Sequence, residues 1–323
     1  MGQLIDGVWQ VDGSRPASKD GAFQRAETLF RNWVTPDGAP GPGGSDGFRA
    51  EAGRYHLYVS LACPWAHRTL IFRKLKGLEN LITLSAVGAF MGERGWTFEP
   101  GPGVIPDTVN GATYLSEIYL RADPGYGGRF TVPVLWDKQR NTVVNNESSE
   151  IIRMFNSAFD AVGANDRDFY PPALRKEIDE LNDLIYPNIN DGVYRAGFAS
   201  KQEAYEEAVR NLFAALDRLE SRLATRRYLA GDSITEADWR LFTTLVRFDS
   251  VYHGHFKCNL RRLVDYPNLW AYTRDLCQVP GVAETVNLPF IKEHYYRSHT
   301  MLNPSGIVPA GPLIDFTAPH NRG

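Results

Sequence analysis

Aromatic and β-branched residues cluster in short segments soon after residue 50, and their order predicts a strand, a helix and a second strand. Tyr55–Ser60 has the composition of a strand. Apolar residues then recur at helical spacing from Leu70 to Leu78, behind Pro64, a residue that favours the first turn of a helix. The segment 81–87, LITLSAV, predicts the second strand. A strand–helix–strand order is typical of a parallel sheet.

Glycine and proline dominate residues 88–128, which we expect to be a functional loop or an insertion. Residues 130–136 and 142–144 then predict two strands of a hairpin. Helix-start residues at 145–150 precede apolar positions at helical spacing. The segment from about residue 51 to 160 is therefore expected to be one domain with an insertion at 88–128.

The pattern is helical from residue 170 to about 300. An apolar stripe with a period of 3.6 residues follows residues 205–223, and residues 267–279 predict a further helix. Thr235 and Asp238 stand three apart at the head of another apolar segment, as in a capping box. Residues 1–50 and 301–323 carry little periodicity, and we expect an irregular N-terminal arm and an irregular tail.

Length and charge narrow the class of protein further. The 323 residues suggest two domains, and the net charge of -3 gives no general attraction to nucleic acid or anionic membranes. No apolar segment approaches the roughly 20 residues of a membrane helix, and the N-terminus lacks a secretory signal pattern. Three cysteines do not make a disulfide scaffold but suit a reducing compartment, so we expect a cytoplasmic location.

Cys63 is the strongest candidate for chemistry, because it follows a predicted strand and opens a predicted helix. The partial positive charge and the unpaired N–H groups of a helix N-terminus stabilise a thiolate. His67 and Arg68, one turn further on, could add to this effect. Ala66 stands where a redox pair would have its second cysteine, so turnover would need an external thiol. The alternative is a buried structural cysteine, which is common.

Two other segments could bind a peptide-like ligand. A cis bond at Pro133 would turn the backbone of Val132 outward, whereas an edge-strand proline explains the same residues equally well. Glu147 and Ser148 lie at a predicted helix start, where they could hold the ammonium and carboxylate groups of a γ-glutamyl moiety. Plain N-capping explains the pair too, and both interpretations can hold together.

Other kinds of site are poorly supported. His253, His255 and Cys258 are metal-ligand types, but one short cluster supplies too few ligands for a convincing zinc site. The glycine-rich segment 41–47 lacks the Gly-Lys-Ser/Thr ending of a phosphate-binding loop. We therefore expect neither a metal nor a nucleotide.

Several motifs together resemble one family. The chain resembles the glutathione transferases in the segments ACPWAHR, TVPVLWD, NESSEIIRMF and SITEAD. It resembles, more narrowly, the glutathionyl-hydroquinone reductases, or Xi class, in CPWA, in GWTF and in its long N-terminal arm. The resemblance extends over roughly residues 50–300. It implies an α/β thioredoxin-like N-terminal domain followed by an all-helical C-terminal domain.

The resemblance also implies roles for individual residues. Glutathione is expected to bind to Trp96, Arg129, Val132, Glu147 and Ser148. A phenolic acceptor is expected to lie against tyrosines of the helical domain, which are Tyr194, Tyr252 and Tyr295, with Tyr296 as an alternative to the last.

The implied activity is removal of glutathione from glutathionyl-hydroquinones through a mixed disulfide on Cys63, with Tyr194 and Tyr295 assisting proton transfer. The implied assembly is a homodimer. Two alternatives are an omega-like thiol transferase or dehydroascorbate reductase, and a non-catalytic binding module of the same fold.

Overall fold

The computed structural model describes residues 3–5, 8–10 and 18–322. The described residues form two compact units. The first contains residues 3–5 and 8–10, Glu27–Arg167 and Thr285–Thr300, and the second contains 18–26, Asp168–Glu284 and 301–322. Within these described ranges, no helix has the length and apolar character that crossing a bilayer requires.

Short strands occur in the N-terminal arm, where the sequence predicts none. Strands β1 (Gln3–Ile5) and β2 (Val8–Gln10) pair antiparallel, and β3 (Trp33–Thr35) and β4 (Gly47–Arg49) pair parallel. The prediction of a wholly irregular arm is therefore wrong. Strands of three residues are too short to show a period in the sequence, and their pairing depends on distant contacts.

The predicted strand–helix–strand unit is confirmed. Strand β5 (Tyr55–Val59) leads into helix α1 (Pro64–Leu75), and β6 (Ile82–Ala86) returns parallel to β5. Pro64 occupies the first turn of α1, where its missing N–H costs no helical hydrogen bond. All five residues of β5 are buried, as expected for a central strand covered on both faces.

The remaining elements of this unit complete the sheet. The 88–128 segment contains helix α2 (Leu115–Ala122), which sequence analysis missed. Strands β7 (Val134–Asp137) and β8 (Thr142–Asn145) form the predicted hairpin, and the sheet order is β6-β5-β7-β8. Helix α3 (Ser148–Ser157) packs against α1. The fold is therefore the expected thioredoxin-like domain.

The second unit is helical. Helix α4 (Arg175–Ile185) continues through a π-helical segment (Tyr186–Asn190) into α5 (Gly192–Gly197). The long helix α6 (Gln202–Leu223) carries the predicted apolar stripe. Helix α7 (Glu236–Leu245) is followed by a second π-helical segment (Phe248–Tyr252) and by α8 (Pro267–Cys277). Short 3-10 turns lie at Asp160–Val162, Pro172–Leu174, Leu263–Asp265 and Ala283–Thr285.

The capping box at the head of α7 is present as predicted. Thr235 and Asp238 exchange side-chain and backbone hydrogen bonds across the first turn. The carboxylate of Asp238 is fully buried and also accepts from the amide of Leu229 and the hydroxyl of Tyr272. One acidic side chain thus holds the start of α7 to two other parts of the helical unit.

The last helix belongs to the first unit. Helix α9 (Leu288–Ser298) follows the helical unit in sequence, and the sequence prediction places it there. Its contacts instead group it with the thioredoxin-like unit. Phe290 packs with Ala62 and Ala89, and His67 Nε2 lies 2.7 Å from the hydroxyl of Thr285.

Candidate active site

Cys63 occupies the N-cap position of α1, the location that the sequence predicts. Its extended backbone (φ -73°, ψ 122°) carries the chain from β5 into the helix, and its side chain is half-buried. The first helical turn, PWAH, contains no acidic side chain that would offset the partial positive charge of the helix N-terminus. The helix N-terminus thus places a partial positive charge and backbone N–H groups beside this side chain.

The thiol of Cys63 lies against the backbone of Val132. Its Sγ donates to the carbonyl of Val132 at 3.4 Å. The bond between Val132 and Pro133 is cis, the first of the two geometries that the sequence left open. Two predicted residues, Cys63 and Val132, are thus in direct contact.

Glu147 and Ser148 form the N-terminus of α3. Glu147 is the N-cap residue, and its carboxylate accepts from the amide and hydroxyl of Ser149 at 3.0 and 2.9 Å. The hydroxyl of Thr28, in the N-terminal arm, donates to the other oxygen at 3.4 Å. The capping interpretation of Glu147 is therefore confirmed, and its role toward a ligand stays a prediction.

Arg68 connects this helix start to the nucleophile's helix. The Arg68 side chain is almost fully buried, and its Nη1 donates to the hydroxyl of Ser148 at 3.3 Å. The guanidinium also lies 4.6 Å from the ring centre of Trp65. Arg68 thus links the start of α3 to α1. The sequence indicated only a direct effect of Arg68 on Cys63 and gave no sign of this link.

Trp96 lies within the glycine-rich segment 88–128, and Arg129 follows that segment directly. Trp96 is 5% exposed, and its indole stacks on the imidazole of His294, with 4.7 Å between the ring centres. Gly95 adopts a positive φ of 82°, which lets the chain turn immediately before this indole. Arg129 is half-buried, and its carbonyl accepts from the hydroxyl of Tyr126 at 2.8 Å.

Tyr295 is buried on α9, while its neighbour Tyr296 is half-buried. The Tyr295 ring lies edge-on to His294 and to His299, with ring centres 5.2 and 5.4 Å apart. Trp96 and Tyr295 therefore contact a common residue, His294, which sequence analysis did not single out. The one feature of the sequence that could have drawn attention to His294 is its position directly before Tyr295 and Tyr296.

Tyr194 and Tyr252 come together in the helical unit. Their ring centres are 6.1 Å apart, and both rings contact Phe256. Tyr194 follows the first π-helical segment and Tyr252 ends the second, a kind of distortion often found at functional positions. Arg25, from the N-terminal arm, places its guanidinium 5.0 Å from the Tyr194 ring centre and bonds to Asp191 at 2.7 Å.

The other two cysteines are poor nucleophiles. Cys258 is fully buried, and burial raises the pKa of its thiol far above the ordinary value. Burial also raises the pKa of the Cys277 thiol to about 11. Among the described residues, no group of three or more histidine, cysteine and acidic side chains could hold a metal ion, the segment 253–258 included.

A thioredoxin-like sheet with a cysteine at the first helix and a cis-proline facing it, joined in sequence to a helical unit, is the architecture of glutathione transferases. Residues 62–158 match the family model of the glutathione S-transferase N-terminal domain, and residues 202–275 match that of the C-terminal domain.

Individual relatives are similar over almost the whole chain. Glutathionyl-hydroquinone reductase YqjG of Escherichia coli is 59% identical over 100% of this chain and 98% of its own length, and its glutathione-bound structure aligns with a TM-score of 0.92. Glutathionyl-hydroquinone reductase PcpF of Sphingobium chlorophenolicum is 56% identical over 97% of this chain and 96% of its own.

A solved Xi-class structure from Natrialba magadii is 51% identical, has a TM-score of 0.91, and is matched over 100% of this chain and 96% of that chain. The chain therefore belongs to the glutathionyl-hydroquinone reductases, the Xi class of the glutathione transferases.

Proposed function

We propose that this protein removes glutathione from glutathionyl-hydroquinones. The net reaction converts a glutathionyl-hydroquinone and one glutathione into the hydroquinone and oxidised glutathione. Two reductases that are 59% and 56% identical to this chain carry this activity in their names. The observation that carries the proposal is the half-buried Cys63 thiol at the N-terminus of α1, 3.4 Å from the Val132 carbonyl.

The first step is attack of the Cys63 thiolate on the sulfur of the bound glutathionyl-hydroquinone. A sulfur–sulfur bond forms and the sulfur–carbon bond to the ring breaks. The electron pair of that bond stays on the ring carbon, which takes up a proton. The aromatic ring is thereby reduced to the hydroquinone, and Cys63 is oxidised to a mixed disulfide with glutathione.

The second step is thiol–disulfide exchange. The thiolate of a second glutathione attacks the glutathionyl sulfur of the mixed disulfide, releasing oxidised glutathione and the Cys63 thiolate. Ala66 occupies the position of a resolving cysteine and is fully buried, so the external thiol completes the cycle. Every atom and electron is supplied by the substrate and glutathione.

Five residues are assigned to the glutathione moiety. The backbone of Val132 pairs with the cysteinyl part of the tripeptide, beside the Cys63 thiol. Arg129 offers a planar guanidinium to a carboxylate. Glu147 and Ser148 take the ammonium and carboxylate of the γ-glutamyl end, at the helix N-terminus of α3. Trp96 shields the sulfur from water.

Three tyrosines are assigned to the phenolic acceptor. Tyrosine combines an apolar ring with a polar hydroxyl, which suits a ligand of the same kind. Tyr252 contacts the ring, while the hydroxyls of Tyr194 and Tyr295 orient the ring oxygens and deliver the proton to the ring carbon.

Turnover of a glutathionyl-hydroquinone in excess glutathione tests the proposal, with hydroquinone release as the readout. Cys63→Ser should lower kcat by at least about a thousandfold, because serine is a far weaker nucleophile at neutral pH. Cys277→Ser is the matched control and should keep wild-type turnover. Full activity of Cys63→Ser would rule the scheme out, and a faster reaction with dehydroascorbate than with the quinone adduct would favour an omega-like enzyme.

We further propose a homodimer that works in the cytoplasm, where glutathione is abundant and thiols stay reduced. Light scattering coupled to size-exclusion chromatography should give twice the chain mass of 36.3 kDa. A monomer at micromolar concentration would contradict the assembly without affecting the chemistry.

A further inference from the structure

His294 lies at the centre of a buried cluster on α9, next to a residue assigned to glutathione. The imidazole is 6% exposed and stacks on the indole of Trp96, with planes 25° apart and ring centres 4.7 Å apart. Two aromatic neighbours, Tyr295 and His299, lie nearly perpendicular to the imidazole. The ring is therefore held on more than one side.

Hydrogen bonds fix the orientation of this imidazole. His294 Nδ1 lies 2.9 Å from the carbonyl of Ala89, and a carbonyl can only accept, so Nδ1 carries the proton. The hydroxyl of Ser298, one helical turn further on, lies 3.3 Å from the same nitrogen. That hydroxyl also accepts from the amide of Met91 at 2.9 Å. Two residues of α9 thus hold two backbone groups of the insertion.

The insertion supplies backbone hydrogen bonds of its own, and α9 adds support for the Trp96 side chain. The carbonyl of Trp96 accepts from the amide of Leu115 at 3.0 Å, and the amide of Phe98 donates to the carbonyl of Thr113 at 2.8 Å. These bonds hold the backbone of Trp96, whereas the contact on the face of its indole comes from His294.

Phe290, at the start of α9, packs with Ala89 and with Ala62, the residue before Cys63. Helix α9 therefore joins the backbone beside the nucleophile to the backbone that presents Trp96.

We propose that His294 is a positioning residue for glutathione binding, which holds the Trp96 indole in place through ring stacking and the bond to Ala89. This inference rests on the proposed function, in which Trp96 contacts glutathione. In the proposed reaction, the imidazole of His294 contacts none of the atoms whose bonds form or break. Its loss should weaken glutathione binding and leave the intrinsic reactivity of Cys63 unchanged.

Three substitutions separate the two contacts that His294 makes. His294→Phe keeps an aromatic ring against Trp96 and removes the donor to Ala89. His294→Asn keeps a side-chain N–H near the position of Nδ1 and removes the ring. His294→Ala removes both. Glu293→Gln is the matched control, because Glu293 is on the same helix and its carboxylate pairs with the exposed Arg297.

Binding of S-methylglutathione, which cannot form a disulfide, is measured by calorimetry on the full-length protein. His294→Ala should raise Kd at least about fivefold, the factor given by the lower ends of the ranges for one aromatic pair and one hydrogen bond. His294→Phe and His294→Asn should fall between His294→Ala and wild type. Trp96→Ala should weaken binding at least as much, and Glu293→Gln should match wild type.

Two further readouts distinguish positioning from core packing. The emission attributable to Trp96, taken as the difference from a Trp96→Phe protein, should shift to longer wavelength in His294→Ala as the indole becomes more exposed. The rate of Cys63 alkylation by iodoacetamide should equal that of wild type in all three variants. His294→Phe preserves the buried ring, so it remains informative should His294→Ala fold poorly.

The possible failures are distinguishable. The inference would be overturned if Trp96→Ala binds more weakly than wild type while His294→Phe, together with either His294→Asn or His294→Ala, binds with wild-type affinity. That result would leave the proposed function standing. Absence of S-methylglutathione binding by the wild-type protein would overturn the proposed glutathione site and this inference with it.

Discussion

The buried carboxylate of Asp238 allows a quantitative test of how the helical unit is held together. Four donors converge on its two oxygens: the amide and hydroxyl of Thr235 on one, and the amide of Leu229 and hydroxyl of Tyr272 on the other. All four distances lie between 2.7 and 2.9 Å. The perturbation is Asp238→Asn, which keeps the shape and replaces one acceptor oxygen by an N–H donor.

The magnitude follows from the bonds lost. An asparagine carbonyl can serve the donors at one oxygen position. At the other position, the hydroxyl can turn to accept from the new N–H group, so only one backbone amide, that of Leu229 or of Thr235, loses its acceptor. At about 1.5–3 kcal/mol for a hydrogen bond to a charged group, the free energy of unfolding should fall by about 1.5–3 kcal/mol. That is a substantial part of the roughly 5–15 kcal/mol typical of folded proteins.

Urea unfolding at neutral pH, followed by circular dichroism, measures this loss. Tyr272→Phe removes one donor to the same carboxylate and should cost about 1.5–3 kcal/mol. Asp265→Asn is the control, because its pair with Arg262 is solvent-exposed and therefore contributes little to stability. An Asp238→Asn protein within about 1 kcal/mol of wild type would refute the reasoning.

Two further predictions concern thiol reactivity and pH. Iodoacetamide at about pH 7.5 should label Cys63 in the native protein and spare Cys258 and Cys277, because burial raises the pKa of the latter two thiols. Peptide mapping identifies the labelled cysteines, and rapid labelling of all three would contradict the prediction. Burial lowers the pKa of His56 from 6.5 to about 4, so between these values the unfolded chain binds a proton that the folded protein does not. Stability should therefore fall by up to about 3 kcal/mol as the pH drops through this window, and urea titrations of His56→Gln should show a shallower slope than wild type.

Local sequence patterns predicted the elements around the nucleophile well. The strand before Cys63, the helix starting at Pro64 and the capping box at Thr235 all depend on residues close together in sequence. Each is specified by propensity, by proline or by a side chain reaching its own backbone. Such features need no knowledge of the rest of the chain.

Other features depend on contacts between distant residues and could not be predicted. Helix α2 is short and lies within a glycine-rich segment, and the arm strands are three residues long. The placement of α9 with the first unit reflects contacts such as His294 with Trp96, nearly two hundred residues apart in sequence. The two π-helical segments leave no pattern that differs from an ordinary helix. The resemblance to a family supplied the tyrosines and Trp96. The hydrogen bond from Arg68 to Ser148 and the position of His294 emerged only from the geometry.

The central claim is that glutathione passes through Cys63, and mass spectrometry tests it directly. The protein is mixed with one equivalent of a glutathionyl-hydroquinone in the absence of added glutathione, and the intact mass and the modified peptide are determined. The account predicts one glutathionyl group on Cys63, one equivalent of hydroquinone released, and loss of the adduct when glutathione is added. Hydroquinone release with an unmodified Cys63, or with the adduct on Cys258 or Cys277, would contradict it.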